Sequence, residues 1–194
     1  MSDSSGIRAL GIAESTRGDR CTVAGAVVRA DRVVDGAAFE SATVGGLDFT
    51  DAIVQIVSDL EREDLHGTLV GAIAPAWFNV LDMDRLAAET DLPTIAVTFE
   101  ASDGLEPALR DAFDGEALAD RLDRYRNLPA RSPFEVGGER VYLRSVGLSV
   151  DEREDLVRAF TPEGGRPEPV RVARELARAG STYRARFDGS PESR

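Results

Sequence analysis

The chain has 194 residues, 42% hydrophobic and 30% charged, which suits one well-packed domain and excludes a disordered or collagen-like polypeptide. Its 35 acidic and 23 basic residues give a net charge of −12, and all 23 basic residues are arginine. One cysteine and one histidine exclude an internal disulfide and every Cys/His zinc pattern.

A surface this rich in carboxylates repels itself in dilute buffer, whereas at molar salt the Debye length shrinks to about 3 Å. The composition therefore points to a cytoplasm of high ionic strength, as in a halophilic archaeon. A GC-rich genome explains the missing lysine but not the acidity. Where the solvent dictates charge, an acidic balance does not count against nucleic acid as a partner. Apolar runs such as 24–28 and 69–78 fall short of the roughly 20 residues that span a bilayer, and residues 1–8 carry no secretion signal, so a cytoplasmic protein is expected.

Residues 1–6 read as a disordered N-terminus and 187–194 as a frayed tail, leaving 7–186 as a single domain. Ile7–Glu14, Cys21–Arg29 and Arg32–Val44 read as three strands with short connections, an antiparallel meander. The period then changes: Ile53, Ile56, Val57 and Leu60 recur at helical spacing, with Asp48 in the N-cap place. Gly67–Ile73 is short, apolar and glycine-bounded, as a buried strand requires. Asp84–Thr90 reads as a short helix and Pro93–Glu100 as a further buried strand. Strand-helix-strand order imposes parallel strands and right-handed crossovers. The fold class is thus α/β: a ribonuclease-H-like mixed sheet, three antiparallel strands and then strand-helix-strand crossovers, with C-terminal helices. A doubly wound sheet needs a helix between the first strands, and Asp19–Val44 leaves no room for one.

Ser149 and Glu152 have capping-box spacing before a helix through Asp155–Phe160. After the loop 161–169, a last helix runs from Val170 and stops at Gly180, with Val172, Ala173, Leu176 and Ala177 inward and Arg171, Arg174 and Arg178 outward.

The blocks RALGIAES, TVGGLDFTDAI, AIAPAWFNVLD, VGLSVDE and RPEPVRVAR follow one another from Arg8 to about Ala179. Together they resemble an archaeal family of unknown function grouped with endonuclease V and known in places as endonuclease dU. The FNVLD and PEPxRVA blocks are the most specific. The resemblance implies a ribonuclease-H-like fold, a nucleic-acid substrate, and cleavage of DNA at a deaminated base such as deoxyuridine. It also implies Mg²⁺ or Mn²⁺ held by carboxylates at adjacent strand ends, since hard cations prefer oxygen and a metal pair can activate water and stabilise the leaving oxygen. In the family pattern the first strand usually ends Gly-hydrophobic-Asp-Asp, and here it reads Gly11-Ile12-Ala13-Glu14. The fourth strand often ends in an acidic residue and glycine, and here the pair is Gly71-Ala72. Ala13 and Gly71 thus replace two expected carboxylates. Two function classes stay open: a metal-dependent endonuclease, catalytically impaired, or a non-catalytic nucleic-acid-binding or regulatory protein on the same fold.

Glu14 and Asp48 are the candidate catalytic residues and, with Glu168, the candidate metal ligands. Each has a plainer reading: Glu14 as a solvated strand end, Asp48 as an N-cap, Glu168 as the complement of a helix N-terminus. Trp77, Phe78 and Asn79 are candidates for binding nucleic acid, with the aromatic pair stacking on a flipped base and the amide reading its edge. The competing view puts Phe78 in the core and has Asn79 or Asp82 cap the next helix. Arg171 and Arg166 form a candidate phosphate clamp, whereas Arg174 and Arg178 read as a solvated face. His66 reads as a loop residue and Cys21 as core filling.

Overall fold

The computed structural model describes residues 6–187, so most of the expected N-terminal disorder and nearly all of the expected tail lie outside the described residues. β1 (Arg8–Arg17), β2 (Arg20–Arg29) and β3 (Val34–Thr43) form the antiparallel meander. After α1 (Phe49–Leu60), β4 (Leu65–Val70) returns parallel to β1, placing Gly11 opposite Leu69 and Ile12 opposite Val70. A short turn, α2 (Pro75–Phe78), and α3 (Met83–Thr90) lead to β5 (Thr94–Thr98), parallel to β4. Then come α4 (Glu106–Ala112), α5 (Gly115–Asn127), the antiparallel pair β6 (Ser132–Val136) and β7 (Glu139–Val146), α6 (Val150–Ala159) and α7 (Glu168–Phe187). The seven strands stand in the order β3-β2-β1-β4-β5-β7-β6, the ribonuclease-H-like mixed sheet the sequence implies.

Helices cover both faces, so strand alternation sorts residues between two cores. Leu10, Ile12, Cys21, Val23 and Val27 meet Phe49, Ile53 and Ile56 of α1 and Met83 and Leu86 of α3. On the other face Ala9, Leu69, Ile95 and Val97 meet Val157 and Phe160 beside Val170 of α7, and Ala26 and Val28 meet Ala173. Each large aliphatic side chain buried this way contributes roughly 1.5–3 kcal/mol over leaving it exposed. Gly11 admits α7: a Cβ there would run into the Pro169 carbonyl.

Several local expectations are corrected. β1 continues to Arg17, so Glu14 is paired within a strand, opposite Val23, rather than ending one. β4 stops at Val70, leaving 71–73 to a loop, and His66 is an exposed residue of β4 rather than of a loop. α7 runs through Gly180 to Phe187; that glycine serves a close approach to Phe39, whose Cε1 would lie 3.0 Å from an added Cβ, rather than a stop. The capping box stands: Ser149 Oγ accepts from Glu152 N at 3.3 Å, and the Glu152 carboxylate accepts from Ser149 N at 2.9 Å. Among the described residues no helix is long and apolar enough to cross a membrane.

Candidate nucleic-acid interface

The end of β4 lies beside the middle of β1, with Gly71 N donating to Ile12 O at 3.0 Å. Ala13 and Gly71 turn to the α7 face. Ala13 packs against the Ala26, Val28 and Ala173 cluster, and a Cβ on Gly71 would sit 2.8 Å from Val170 Cγ1. The place where two carboxylates are expected therefore holds a methyl group and a hydrogen beneath the first turn of α7. Glu14, one residue on, belongs to the opposite face. Its Oε2 accepts from Thr16 Oγ1 at 2.8 Å and from the Cys21 thiol at 3.6 Å. Burial, with the nearby Glu14 and Asp48 carboxylates outweighing the Thr16 hydrogen bond, pushes the Cys21 thiol up to about 12. Cys21 stays a neutral, buried thiol, as core filling requires.

Asp48 occupies the N-cap position of α1 without capping it. Its carboxylate instead accepts from Thr43 N at 3.0 and 3.1 Å, Thr43 Oγ1 at 2.6 Å and Asn79 Nδ2 at 2.7 Å. Burial raises its pKa, but those hydrogen bonds outweigh it and hold the carboxyl below its ordinary value. The cap passes to Asn79, whose Oδ1 accepts from Phe49 N at 2.9 Å while Nδ2 also donates to Thr43 O at 3.0 Å. Asn79 is 0% exposed and its amide is fully engaged, so it does not read a base edge. Asp82 caps α3 by accepting from Arg85 N at 3.0 Å.

The expected clamp of Arg166 and Arg171 is not assembled. Arg171 is held by both oxygens of Glu168, at 2.7 and 2.5 Å, whereas Arg166 turns away to lie over the Phe99 ring at 4.3 Å. Arg171 and, further off, Arg32 in the β2–β3 turn hold the Glu168 carboxyl below its ordinary value. Glu168 thus belongs to the helix that covers the face of the sheet opposite Glu14, and its carboxylate is engaged by Arg171. No three His, Cys, Asp or Glu side chains among the described residues form a metal-holding group. The donor set does not fit a Mg²⁺ or Mn²⁺ pair.

The aromatic candidates are brought together by an unusual backbone. Ala76, Trp77 and Phe78 have φ of 47°, 60° and 59°, a left-handed turn without glycine. Such residues cost of order 1–3 kcal/mol each and persist only where the surroundings hold them. Here Asn79 N bonds Pro75 O at 2.8 Å, Gly45 N bonds Ala76 O at 2.7 Å, and the buried Asn79 amide anchors the exit. The turn presents Trp77 at 61% exposure above Gly45. Phe78 is half-buried, edge-on to Trp77 at 5.5 Å and to Phe113 at 6.0 Å. The buried Arg121 guanidinium lies 3.9 Å from the Phe113 centroid and donates to the carbonyls of Gly45 and Gly46. Phe113 and Arg121 escape a reading of the sequence because they come from the α4–α5 region, whose pattern is mostly polar.

Residues 5–181 match the Endonuclease dU family. The UPF0215 protein of Pyrococcus horikoshii is 30% identical over 180 residues, 89% of this chain and 91% of its own length. A crystal structure of a protein of unknown function from Archaeoglobus fulgidus is similar with a TM-score of 0.78 at 28% identity, covering 89% of this chain and 97% of that one. Endonuclease V from Ciona intestinalis, in complex with a 24mer DNA containing an inosine followed by a ribo-adenosine, is similar with a TM-score of 0.60 at 12% identity, covering 91% and 86%. The last likeness speaks for the fold alone.

Proposed function

The chain belongs to the Endonuclease dU family and has an endonuclease V-like fold, and from that premise we propose that it binds nucleic acid, DNA carrying a deaminated base in particular, without efficient metal-dependent cleavage. The observation that carries this reading is the replacement of two carboxylates by Ala13 and Gly71 under α7. Trp77 and Phe78 are the binding residues: an exposed indole backed by a half-buried ring is a stacking platform, and stacking on an aromatic side chain is worth roughly 1–3 kcal/mol per base. Endonuclease V seated on DNA in the Ciona intestinalis complex supports the substrate class.

A second reading, a metal-dependent phosphodiester hydrolase, is favoured by Glu14 and Asp48, which both bear on Cys21 from the same side of the sheet. One experiment separates the two: duplexes carrying deoxyuridine or deoxyinosine, incubated at molar KCl with Mn²⁺ and followed for both binding and cleavage. Binding without cleavage, weakened by Trp77→Ala, is the expected result. Mn²⁺-dependent cleavage abolished by Glu14→Gln or Asp48→Asn would establish the hydrolase.

A further inference from the structure

The loop that follows β4 has two sides. Residues 75–79 carry the aromatic platform, and Gly71–Ala74 line a cavity of about 610 Å³ at the C-terminal ends of β4 and β5. Ligands of α/β sheets sit outside the carboxyl ends of parallel strands, and small-molecule sites occupy roughly 300–1,000 Å³. Four arginines from four separate segments line this cavity: Arg131 ahead of β6, Arg144 on β7, Arg166 ahead of α7 and Arg174 within it.

These four differ from the arginines elsewhere that meet carboxylates, such as Arg8 with Asp35, Arg62 with Asp64, Arg126 with Glu106 and Arg171 with Glu168. None of the four makes an ion pair among the described residues. Rings and carbonyls hold three of them in place. Arg131 lies 3.9 Å over Tyr142 and donates to the carbonyls of Glu100 and Ser102. Arg144 donates to Pro129 O, and Arg166 lies over Phe99. Arg174 has no hydrogen-bond partner in the protein among the described residues. A guanidinium has five N–H donors, so most of this donor set is unused. Burial and the neighbouring Arg174 and Arg178 charges push Arg166 below its ordinary pKa, as burial and Arg131 do for Arg144. The two carboxylates on the lining, Glu100 and Asp103, are exposed and engage none of the four. In a chain of net charge −12, four half-buried or exposed guanidiniums converging on one cleft, with no ion pair to its two lining carboxylates, have the chemistry to receive an anion.

We propose that this cleft, lined by Arg131, Arg144, Arg166 and Arg174, is a seat for a phosphomonoester: the phosphate of a nucleotide or the terminal phosphate of a nucleic-acid strand. A phosphomonoester carries about −1.5 to −2 charge at pH 7, more than the single charge of an internal phosphodiester, and its three terminal oxygens suit several arginine forks. Gly71 fits the same reading. With no carboxylate at that position, the repulsion of a phosphate is left to Glu100 and Asp103, both exposed. A strand end seated in the cleft continues along the Gly71–Ala74 loop toward Trp77. The proposal rests on the nucleic-acid reading for its setting, whereas its test uses mononucleotides, which read the cleft alone.

The test is calorimetry on the full chain at molar KCl with thymidine, thymidine 5′-monophosphate, inorganic phosphate, and a short oligonucleotide with a 5′-phosphate or a 5′-hydroxyl. The monophosphate is expected to bind at least about tenfold more tightly than thymidine, and Arg166→Gln and Arg174→Gln each to remove about tenfold of that affinity. Arg140→Gln, exposed and paired with Glu135 at 2.6 Å, is expected to leave it unchanged. Tighter binding of the 5′-phosphorylated oligonucleotide than of the monophosphate assigns a strand end, and the reverse order a free nucleotide. Equal binding of thymidine and its monophosphate, or full affinity in a folded Arg174→Gln variant, overturns the seat. Arg174 is exposed on a helix, so that variant keeps the test open should Arg166→Gln fold poorly. Loss of duplex binding with retained monophosphate binding would sink the nucleic-acid reading and leave the seat standing.

Discussion

One side-chain amide holds the aromatic platform in place. Asn79 caps α1 through Phe49 N, grips Asp48 and Thr43, and closes the left-handed turn that lifts Trp77 into solvent. Asn79→Ala leaves a buried amide N–H and part of a carboxylate unpaired, so it is expected to cost about 1–3 kcal/mol in urea denaturation and to weaken nucleic-acid binding as the turn relaxes. Trp77→Ala separates the two effects. That side chain is exposed, so its loss is expected to change stability by no more than about 0.5 kcal/mol while removing the stacking contribution to binding. Asp48 makes the same cluster sensitive to acid. Its folded pKa lies below the unfolded value of about 3.9, so its stabilisation is present above that pH and disappears as pH falls through the folded value. Thermal melts of wild type and Asp48→Asn are expected to differ near pH 7 and to converge as pH drops below about 3.9. A gap that stays constant down the acid range would show that the Thr43 and Asn79 hydrogen bonds do not favour the ionised carboxyl.

Helix α7 decides what the end of β4 and the β1 residues beside it can hold. Restoring carboxylates by Ala13→Asp and Gly71→Asp is expected not to create a Mn²⁺ site in calorimetry, because Val170 already fills the space a Gly71 side chain would enter. Gly71→Asp alone is expected to lower stability by about 1–3 kcal/mol through overpacking, and Val170→Ala beside it to recover part of that loss. The parts of this arrangement that could be read from the sequence are those encoded locally. The alternation in β1 and β2, the helical spacing of Ile53, Ile56 and Leu60, and the Ser149–Glu152 pair each carry their own pattern. Helix α5 buries only Arg121 and Leu122, and β6 alternates over five residues, so both are too weakly patterned to stand out. Gly180 carries the same letter as a helix stop, and only the approach of Phe39 reveals its use. Trp77, Ala13 and Gly71 can be singled out because they sit in contiguous blocks, whereas the bonding of Asp48 cannot, because the cap its position suggests comes from Asn79, about thirty residues further along. The arginine cleft cannot either, because Arg131, Arg144, Arg166 and Arg174 are joined only by the packing of β7 and α7 onto the sheet.

The whole molecule carries −12 on a surface whose cations are all arginine, and two electrostatic effects oppose each other as salt rises. Screening weakens attractive surface pairs, including the cluster of Arg8, Arg62, Asp35 and Asp64 at one end of the sheet. It also weakens the mutual repulsion of the excess carboxylates. Exposed pairs are worth about 0–1 kcal/mol each at most, and several here are single contacts on half-exposed side chains, such as Arg178–Glu175 at 3.9 Å. Repulsion from the unpaired excess acts over the entire surface and reaches further at low ionic strength, where the Debye length is about 10 Å at 0.1 M. On this reckoning the repulsive term is the larger, and the folded state is expected to gain as it is screened. We propose on this ground that the protein is adapted to a high-salt interior, and expect its thermal midpoint to be higher in about 2 M KCl than in 0.1 M KCl. The same comparison with a non-coordinating salt pair, NaCl against KCl, is expected to give the same rise, since screening depends on ionic strength and not on a specific cation site. A midpoint that is unchanged or lower at high salt would show that the arginine–carboxylate pairs outweigh the net charge, and would remove the ground for a saline origin.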